Sequence, residues 1–367
     1  MGKKVNDHSF LLAVKLTGMS FHFSLPCRRR LLVTGFPKLF FTLRQHYPLS
    51  IITMSNSQDT LKAAQSYPTP LSPPLPLISK DVELARAMTA SSRSSLYTLS
   101  RSDVLYEDGW LIVVNKPQGV YCESVLDSVP QLLGDKSGGL GEGHEGTSTR
   151  PELHLANRLD RDTTGVMVIT KSHKVASKLV KAFTEHKNRK TYIALCVGSA
   201  PKWEKITIQS GHGRSKFGAW RVYAASDVGQ TLPGGSIVRD METSFEVLSV
   251  NGQGRYKEIM EFTKDEENVI LVERKAVIDG DAKKDEILVR AFPRSGRTHQ
   301  IRLHCQYLGN SIRGDVKYEG VYEWRGRIYD GHELHAESLS FEHPITGLPV
   351  MFQAPLPLWA MQALQPS

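Results

Sequence analysis

The middle of the chain alternates between short apolar runs and polar turns. Residues 110–115 (WLIVVN), 165–170 (GVMVIT) and 191–198 (TYIALCVG) are apolar runs of strand length, bordered by glycine, proline or charged residues. Such runs are typical of buried β-strands. Further strands are predicted at 243–250 (TSFEVLSV) and 286–293 (EILVRAFP).

Two segments have a helical pattern instead. Apolar residues recur every four positions from Val175 to Phe183, and Ser172 before them is a favourable N-cap, so a helix is predicted there. A second helix is predicted over 299–309 (HQIRLHCQYLG), with Gly309 at its end. Many strands and few helices indicate an α+β fold, with a large mixed, mostly antiparallel sheet flanked by helices.

Composition divides the chain into four parts. Residues 1–57 hold eight Lys/Arg and one acid, and they resemble an organellar transit segment; a disordered extension is the alternative, with Met54 as an alternative first residue. Residues 58–97 are rich in proline and serine and are predicted to be a linker. The folded domain is predicted at 98–358, and residues 359–367 are predicted to be a C-terminal tail.

Bulk composition limits the class of protein. With 40% hydrophobic and 23% charged residues, the chain has the composition of a soluble globular protein. No apolar run approaches the roughly 18 residues of a spanning helix, so no membrane association is expected. The four cysteines form no CxxC pair, which favours free thiols in a reducing compartment. A transit segment would place the protein in the chloroplast or mitochondrion; otherwise the cytoplasm or nucleus is expected.

The net charge of +8 comes mostly from residues 1–57, so overall basicity does not indicate a nucleic-acid partner for the folded domain. Within that domain, basic residues concentrate at 158–190 and 290–317. Lys174, Lys178 and Lys181 would lie along one side of the first predicted helix. Such a row can follow the phosphates of a nucleic acid, and a solvated helix face is the alternative.

Residues 157–165 (NRLDRDTTG) place two Arg/Asp pairs at the entry to a predicted buried strand. A carboxylate beside an arginine stays ionised, and an ionised Asp on a rigid strand entry can act as a nucleophile or a base. The alternative is a salt-bridged turn in which Asp162 caps the residues that follow.

Two other segments carry dense polar chemistry. Residues 292–304 (FPRSGRTHQIRLH) would place Arg302 on a helix beside His299, where its guanidinium can bind a carboxylate from elsewhere in the fold. Residues 189–195 (RKTYIAL) place Tyr192 after two cations, a combination that holds unpaired bases. A core tyrosine is the alternative.

Together, these three segments resemble the three sequence motifs of the RluA-type RNA pseudouridine synthases, including plant members of this class. The resemblance extends over roughly residues 98–358, because 105–120 (LYEDGWLIVVNKPQGV), 314–320 (GDVKYEG) and 334–357 (LHAESLSFEHPITGLPVMFQAPLP) also match, in the same order. It implies a pseudouridine synthase-like catalytic domain that flips a uridine out of structured RNA and isomerises it to pseudouridine. It also implies a monomer that uses no metal and no cofactor.

The resemblance assigns roles to individual residues. The essential aspartate is Asp160, which would attack the sugar C1′ or remove a proton from C2′. Arg158 would fill the space of the flipped uridine or hold its phosphate, Tyr192 would stack on the target base, and Arg302 would pair with Asp160. Three further motif residues are expected to bind the substrate: Arg297, His299 and Gln300.

Two departures from the family pattern concern local geometry and target choice. Asn157 stands where the family usually has a histidine. Residues 55–97 are too short and too rich in proline and serine to form the small N-terminal RNA-binding domain that many relatives carry. We therefore expect the catalytic domain to select the target, through the glycine-rich loop at 135–150 and the 205–240 segment.

Three other functions compete with this interpretation. A metal hydrolase is disfavoured, because the spacing of His299, His304 and Cys305 matches no common zinc site. A glycosidase with Asp160 and Asp162 is disfavoured, because carboxylates on one tight turn rarely straddle a sugar bond. The main alternative is a catalytically silent RNA-binding or remodelling protein on the same fold, which has no need for the Asp160 carboxylate.

Overall fold

The computed structural model describes residues 66–76, 79–134, 152–254, 268–277, 283–318 and 323–365, all within the structural unit Lys62–Ser367. Its helices are α1 Ser79–Ser95, α2 Cys122–Gly134, α3 His173–Thr184, α4 Gln300–Tyr307 and α5 Leu358–Gln362. Its strands are β1 Val104–Glu107, β2 Leu111–Lys116, β3 His154–Leu155, β4 Thr164–Thr170, β5 Asn188–Gly198, β6 Lys205–Arg214, β7 Trp220–Tyr223, β8 Arg239–Val250, β9 Gln253–Gly254, β10 Val269–Leu271, β11 Asp285–Pro293, β12 Asn310–Ile312, β13 Glu323–Trp324, β14 Arg327–Ile328, β15 Leu334–Glu342 and β16 Pro349–Gln353. The predicted transit segment, 1–57, and the glycine-rich loop at 135–150 lie outside the described residues.

One large sheet organises the domain. Its strands run in the order β1-β2-β4-β15-β5-β11-β8-β6-β10, with β3, β7, β9, β12 and β16 pairing to its members. Among the described strands, only β4–β15 and β6–β10 pair in parallel. The predicted α+β class and the mixed, mostly antiparallel sheet are therefore confirmed.

Both faces of the sheet are covered, which explains why its central strands are apolar throughout. Leu111 and Val113 of β2 face the cluster that includes α3, whereas Ile112 and Val114 face the cluster that includes α2. All four are fully buried. In the same way, β5 alternates between a cluster shared with α4 and a cluster shared with α5.

The two helices that the sequence predicted are present. Helix α3 begins after Ser172, whose hydroxyl accepts a hydrogen bond from the Val175 amide at 3.3 Å. Helix α4 begins at Gln300 rather than at His299, because His299 has a left-handed backbone with φ 59°. Gly309, with φ 75°, follows its end as predicted.

The prediction of a linker over 58–97 is wrong for its described part. Residues 66–76 run beside β7, where the Leu71 amide donates to the Val222 carbonyl at 2.8 Å and Ser72 is buried. Residues 79–95 form α1, since no proline lies between Pro76 and the end of this helix. Arg86 of α1 donates to the Gly314 carbonyl at 2.7 Å and to the Tyr329 carbonyl, so α1 belongs to the folded domain.

The predicted C-terminal tail is also partly structured. Residues Leu358–Gln362 form α5, and Ala360 is fully buried in a cluster with Trp359. The Ser249 hydroxyl donates to the Ala363 carbonyl at 2.7 Å. The folded domain therefore continues past residue 358, because these apolar side chains complete one face of the sheet.

Two further observations concern the apolar length of the helices and the state of the cysteines. Across the described ranges, no helix combines the length and the apolar character needed to cross a membrane. Cys122, Cys196 and Cys305 are buried free thiols, and the fourth cysteine lies outside the described residues.

Candidate active site

An open cleft of about 1050 Å³ lies where β5 and β8 begin and β11 ends. Antiparallel pairing brings these strand ends to the same edge of the sheet. All seven predicted site residues line the cleft: Arg158, Asp160, Tyr192, Arg297, His299, Gln300 and Arg302. Further walls come from the end of α3 and from Lys190 and Arg239. A cavity of this size can hold a nucleotide.

The turn that carries Asp160 is held by backbone contacts on both sides. The Thr163 amide donates to the Asp160 carbonyl at 3.1 Å, which closes the turn. The Arg161 carbonyl accepts from the Gly119 amide at 3.1 Å and from the Lys116 ammonium at 2.8 Å. Lys116 is fully buried and its ammonium also donates to two other carbonyls, so a charged clamp fixes the turn to the end of β2.

Asp160 points into the cleft and pairs with Arg302, as the resemblance implied. Nη1 of Arg302 donates to Oδ2 of Asp160 at 2.7 Å, and 28% of the Asp160 side chain is exposed. Burial raises the pKa of the Asp160 carboxyl, but the combined effect of Arg302, His299 and His332 exceeds that of burial and holds the pKa well below its usual range. Asp160 is therefore an ionised carboxylate open to the cleft.

Arg302 is itself fixed by Asp315, a residue outside the three motifs that was not among the predicted site residues. Nε and Nη2 of Arg302 donate to the two Asp315 oxygens at 2.7 and 2.8 Å, and both side chains are buried. This bidentate pair leaves Nη1 for Asp160 and sets its direction. The guanidinium also lies 5.1 Å from the centre of the Tyr318 ring. The only signal for Asp315 in the sequence was the match of residues 314–320 to the family.

His299 forms the other side of the carboxylate. Its Nε2 is 3.7 Å from Oδ1 of Asp160, and its Nδ1 is 2.6 Å from the Tyr318 hydroxyl. Burial, followed by the charge of Arg302, lowers the pKa of His299 to about 3, so the imidazole is neutral near pH 7. The left-handed backbone of His299 turns the chain into α4 and brings the ring to this position.

Tyr192 lies on β5 with its side chain half-buried in the cleft wall. Its neighbours in register are Ala291 of β11 and Ala336 of β15, and these small side chains leave space around the ring. Burial, followed by the charge of Asp160, raises the pKa of the Tyr192 phenol, so the ring is neutral. The ring can therefore serve as an apolar stacking surface beside the carboxylate.

Arg158 lies at the rim of the cleft. Its side chain is 73% exposed and forms an ion pair with the exposed Glu123 at 2.8 Å. Exposed pairs of this kind contribute less than about 1 kcal/mol. The guanidinium can therefore exchange Glu123 for a phosphate of a bound ligand.

Arg297 and Gln300 hold the loop before α4. Arg297 donates to the Asp240 carbonyl at 2.9 Å and to its carboxylate at 2.7 Å. Gln300 is buried; its amide nitrogen donates to the Glu242 carbonyl at 2.7 Å, and its oxygen accepts from Ser295 at 2.7 Å. Both ends of the Gln300 side-chain amide are hydrogen-bonded within the protein. This arrangement differs from the predicted role of Gln300 in binding the substrate.

Asn157, the departure from the family pattern, ties the turn to β4. Its side-chain oxygen accepts from the Val168 amide at 2.8 Å, and its nitrogen donates to the Val166 carbonyl at 3.3 Å. The side chain thus bridges the chain on either side of the turn that carries Asp160.

The competing site types find little support in this geometry. Asp162 is buried and accepts two hydrogen bonds from Arg161, at 2.7 and 2.6 Å, so it is not placed to act on a substrate as the second carboxylate of a glycosidase. Among the described residues, no group of three or more His, Cys, Asp and Glu side chains is arranged to hold a metal ion. His304 instead bonds Ser210 and Thr243, and His332 bonds Thr163.

Comparisons with known proteins agree with the motifs. The family model described as RNA pseudouridylate synthase matches residues 110–307. RNA pseudouridine synthase 1 of Oryza sativa subsp. japonica is 63% identical over 304 residues, 81% of this chain and 84% of that protein. RNA pseudouridine synthase 1 of Arabidopsis thaliana is 60% identical over 315 residues, 85% of this chain and 93% of that protein.

A bacterial relative is more distant. Ribosomal large subunit pseudouridine synthase C of Vibrio vulnificus (strain CMCP6) is 29% identical over 297 residues, 77% of this chain and 74% of that protein. With the cleft, the three motifs and these relatives in agreement, the chain belongs to the RluA-type RNA pseudouridine synthases and is an isomerase that acts on uridine in RNA.

Proposed function

We propose that Asp160 is the catalytic carboxylate of this isomerisation. The observation that carries the proposal is the 2.7 Å bond from Arg302 to Asp160, which keeps an ionised carboxylate directed into the cleft. Asp160 begins the reaction by bonding to C1′ or by removing the C2′ proton. The N1–C1′ bond breaks and the uracil turns. As C5 bonds to C1′, the Asp160–C1′ bond breaks, or in the second route the proton returns to C2′. C5 then loses its proton and N1 gains one.

The cleft walls support roles for two other residues. Tyr192 presents a neutral ring beside Asp160, where a flipped uracil can stack. Arg158 at the rim can bind the phosphate of the distorted backbone or occupy the position that the uridine leaves. Flipping a base costs a few kcal/mol, and these contacts offset part of that cost.

Arg297, His299 and Gln300 are better explained as positioning residues. Arg297 and Gln300 fasten the loop before α4 to β8. His299 joins Tyr318 to the carboxylate side of the cleft. Together they keep Arg302 and Asp160 in a fixed relation, which matters because small displacements of reacting groups lower rates strongly.

Release of tritium from RNA labelled at C5 of uridine tests this proposal, since the C5 proton must leave for pseudouridine to form. We expect wild-type protein to release tritium and Asp160→Asn to release none while binding the RNA with similar affinity. Equal release by both proteins would refute the role of Asp160. Binding by the wild type without release from any RNA would favour the catalytically silent RNA-binding protein.

We also propose that the enzyme acts as a monomer without metal or cofactor. The support is that Arg302 pairs with Asp160 in the cleft and with the buried Asp315, so the protein itself supplies the cation beside the cleft carboxylate. Light scattering should give the mass of a single chain, 41.0 kDa for the full sequence. Activity should persist after dialysis against a chelator, and a loss that is restored by added metal would refute the proposal.

For the compartment, we propose that residues 1–57 direct import into the chloroplast or mitochondrion. The support is their basic, acid-poor composition. A fluorescent protein fused behind residues 1–57 should enter one of these organelles, whereas a fusion of the chain beginning at Met54 should stay outside. Cytoplasmic or nuclear fluorescence from both fusions would refute the proposal.

A further inference from the structure

The β6–β7 hairpin extends from the edge of the sheet that borders the cleft. His212 of β6 pairs in register with Arg239 of β8, and Arg239 lines the cleft. Nε2 of His212 is 3.0 Å from the Thr298 carbonyl, next to His299 in the chain. Burial lowers the pKa of His212 to about 4, so its ring is neutral near pH 7 and can donate this bond. The base of the hairpin is therefore fixed to the loop before α4.

Beyond this base, the hairpin presents aromatic rings and cations. Trp220 stacks on His212, with ring centres 4.7 Å apart and an angle of 15°, and the Arg214 guanidinium lies 4.8 Å from the Trp220 ring. At the tip, the Lys216 ammonium lies 5.0 Å from the Phe217 ring. Residues 213–223 contain three basic residues and no acidic one.

Phe217 is the unusual residue of this tip, because 84% of it is exposed. The turn itself is closed by backbone bonds between Ser215 and Ala219 and between Gly218 and Ser215, both at 2.8 Å, so the ring is not needed to form it. An exposed aromatic ring flanked by cations is the arrangement that stacks an unpaired base while the cations bind phosphates.

We propose that the β6–β7 hairpin tip is a second RNA-binding site, in which Phe217 stacks on an unpaired base that flanks the target uridine. Arg214 and Lys216 bind the adjacent phosphates. RNA is favoured over a protein partner because the tip is uniformly basic and lies on the cleft side of the sheet. This inference rests on the proposed function, and it gives the chain a contact outside the cleft for choosing its substrate.

The test uses the full-length protein and a short single-stranded oligouridine that carries one fluorescent adenine analogue, whose emission is quenched by stacking. Phe217→Ala should weaken binding about 5- to 100-fold and abolish the quenching, because the stack between this ring and the base can no longer form. Phe217→Trp should restore both, since indole also stacks.

One control variant and one further test variant make the result specific. Trp110 is 44% exposed at the β1–β2 turn. It lies at the end of β2 opposite to Lys116, and therefore away from the turn that carries Asp160. As a control, Trp110→Ala should leave the affinity for RNA unchanged. The double variant Arg214→Gln with Lys216→Gln tests the phosphate contacts. In this variant, the slope of log K for binding against log salt concentration should be smaller in magnitude by about 0.7 for each phosphate that the hairpin no longer neutralises.

The outcomes separate this inference from the proposed function. Equal affinity of wild type and Phe217→Ala, or no binding of the oligouridine by wild type, overturns the hairpin site whatever Asp160→Asn shows. Tritium release by Asp160→Asn overturns the catalytic proposal and leaves the binding data for Phe217 intact. A Phe217→Ala variant that binds RNA normally but loses a protein partner also overturns the RNA site.

Discussion

Asp160 and Asp162 belong to one turn and each is paired with an arginine, yet their surroundings differ. Asp162 is 4% exposed and is held by its neighbour in sequence, Arg161. Asp160 is held by Arg302, 142 residues away in the chain, and faces the cleft. The local pair builds the turn, whereas the distant pair places a charge where a substrate can reach it.

The comparison shows how a charged turn is divided between stability and chemistry. Arg161 also bonds Glu83 of α1 at 3.4 Å, so the Asp162 side of the turn is part of the domain interior. Arg302 has a second carboxylate, Asp315, and therefore stays neutralised when Asp160 engages a sugar. A buried arginine with two acidic partners can lose one of them without becoming an isolated charge.

The largest expected effect comes from Asp160→Asn, which removes the reacting charge. Tritium release should fall by at least about 1000-fold, because the residual activity of an enzyme without its essential group comes from binding alone. The free energy of unfolding should change by less than about 1 kcal/mol, since Asp160 is partly exposed and Arg302 keeps Asp315. If Asp160→Asn instead lost stability and kept its activity, Asp160 would be the structural aspartate and would not act in the chemistry.

The next effect concerns Asp315→Asn, which loosens the guanidinium that orients Asp160. We expect kcat for tritium release to fall about 100-fold with little change in KM, because a misplaced catalytic group lowers the chemical step. Asp330→Asn is a matched control, as Asp330 is 78% exposed and pairs with Arg93 at the surface. A change confined to KM would show that Asp315 does not act through Arg302.

Asp162→Asn should lower the stability of the fold and largely keep the activity, which is the opposite of what is expected for Asp160→Asn. It weakens the buried pair with Arg161, so the free energy of unfolding should fall by about 2 kcal/mol in urea titration. The folded enzyme should keep its activity within about tenfold, because the Lys116 clamp on the turn remains. An unchanged stability together with lost catalysis would place Asp162 in the chemistry.

The smallest effect per residue is the dependence of stability on pH. Burial is the largest cause of the lowered pKa of five histidines: about 3 for His299 and His304, and about 4 for His212, His332 and His335. Below their ordinary pKa of 6.5, the unfolded chain binds protons that the folded chain does not bind, so stability falls as pH decreases from about 6.5 toward 4.

Each of these histidines should contribute on the order of 1 kcal/mol to the loss at pH 5. The lowered pKa of Asp160, Asp162 and Asp315 acts only below their ordinary value of 3.8, so it does not enter this range. Urea titrations at pH 7, 6 and 5 measure the slope, and His304→Gln should reduce it. A flat profile over this range would contradict neutral buried rings.

Much of this architecture could be predicted because its signals are local. The N-cap Ser172 and the apolar spacing of α3 lie within one helix, and the apolar run of β2 follows from burial on both faces. The pairing of Asp160 with Arg302 was predicted from the family motifs rather than from spacing, since the two residues are far apart in the chain.

The elements that were missed depend on distant contacts. Helix α1 is held through hydrogen bonds such as that from Arg86 to the Gly314 carbonyl. A proline- and serine-rich sequence gives no indication of such distant bonds. The position of Asp315 beside Arg302 arises from the turn after β12. The exposure of Phe217 likewise becomes evident only when the hairpin is folded.

Pseudouridine mapping of total and organellar RNA tests the central claim most directly. Cells that lack this protein would be compared with cells complemented by the wild type or by Asp160→Asn. The account predicts that at least one pseudouridine disappears without the protein and returns only with the wild type, which would also identify the RNA and its compartment. Restoration of the site by Asp160→Asn, or no change at any site, would contradict it.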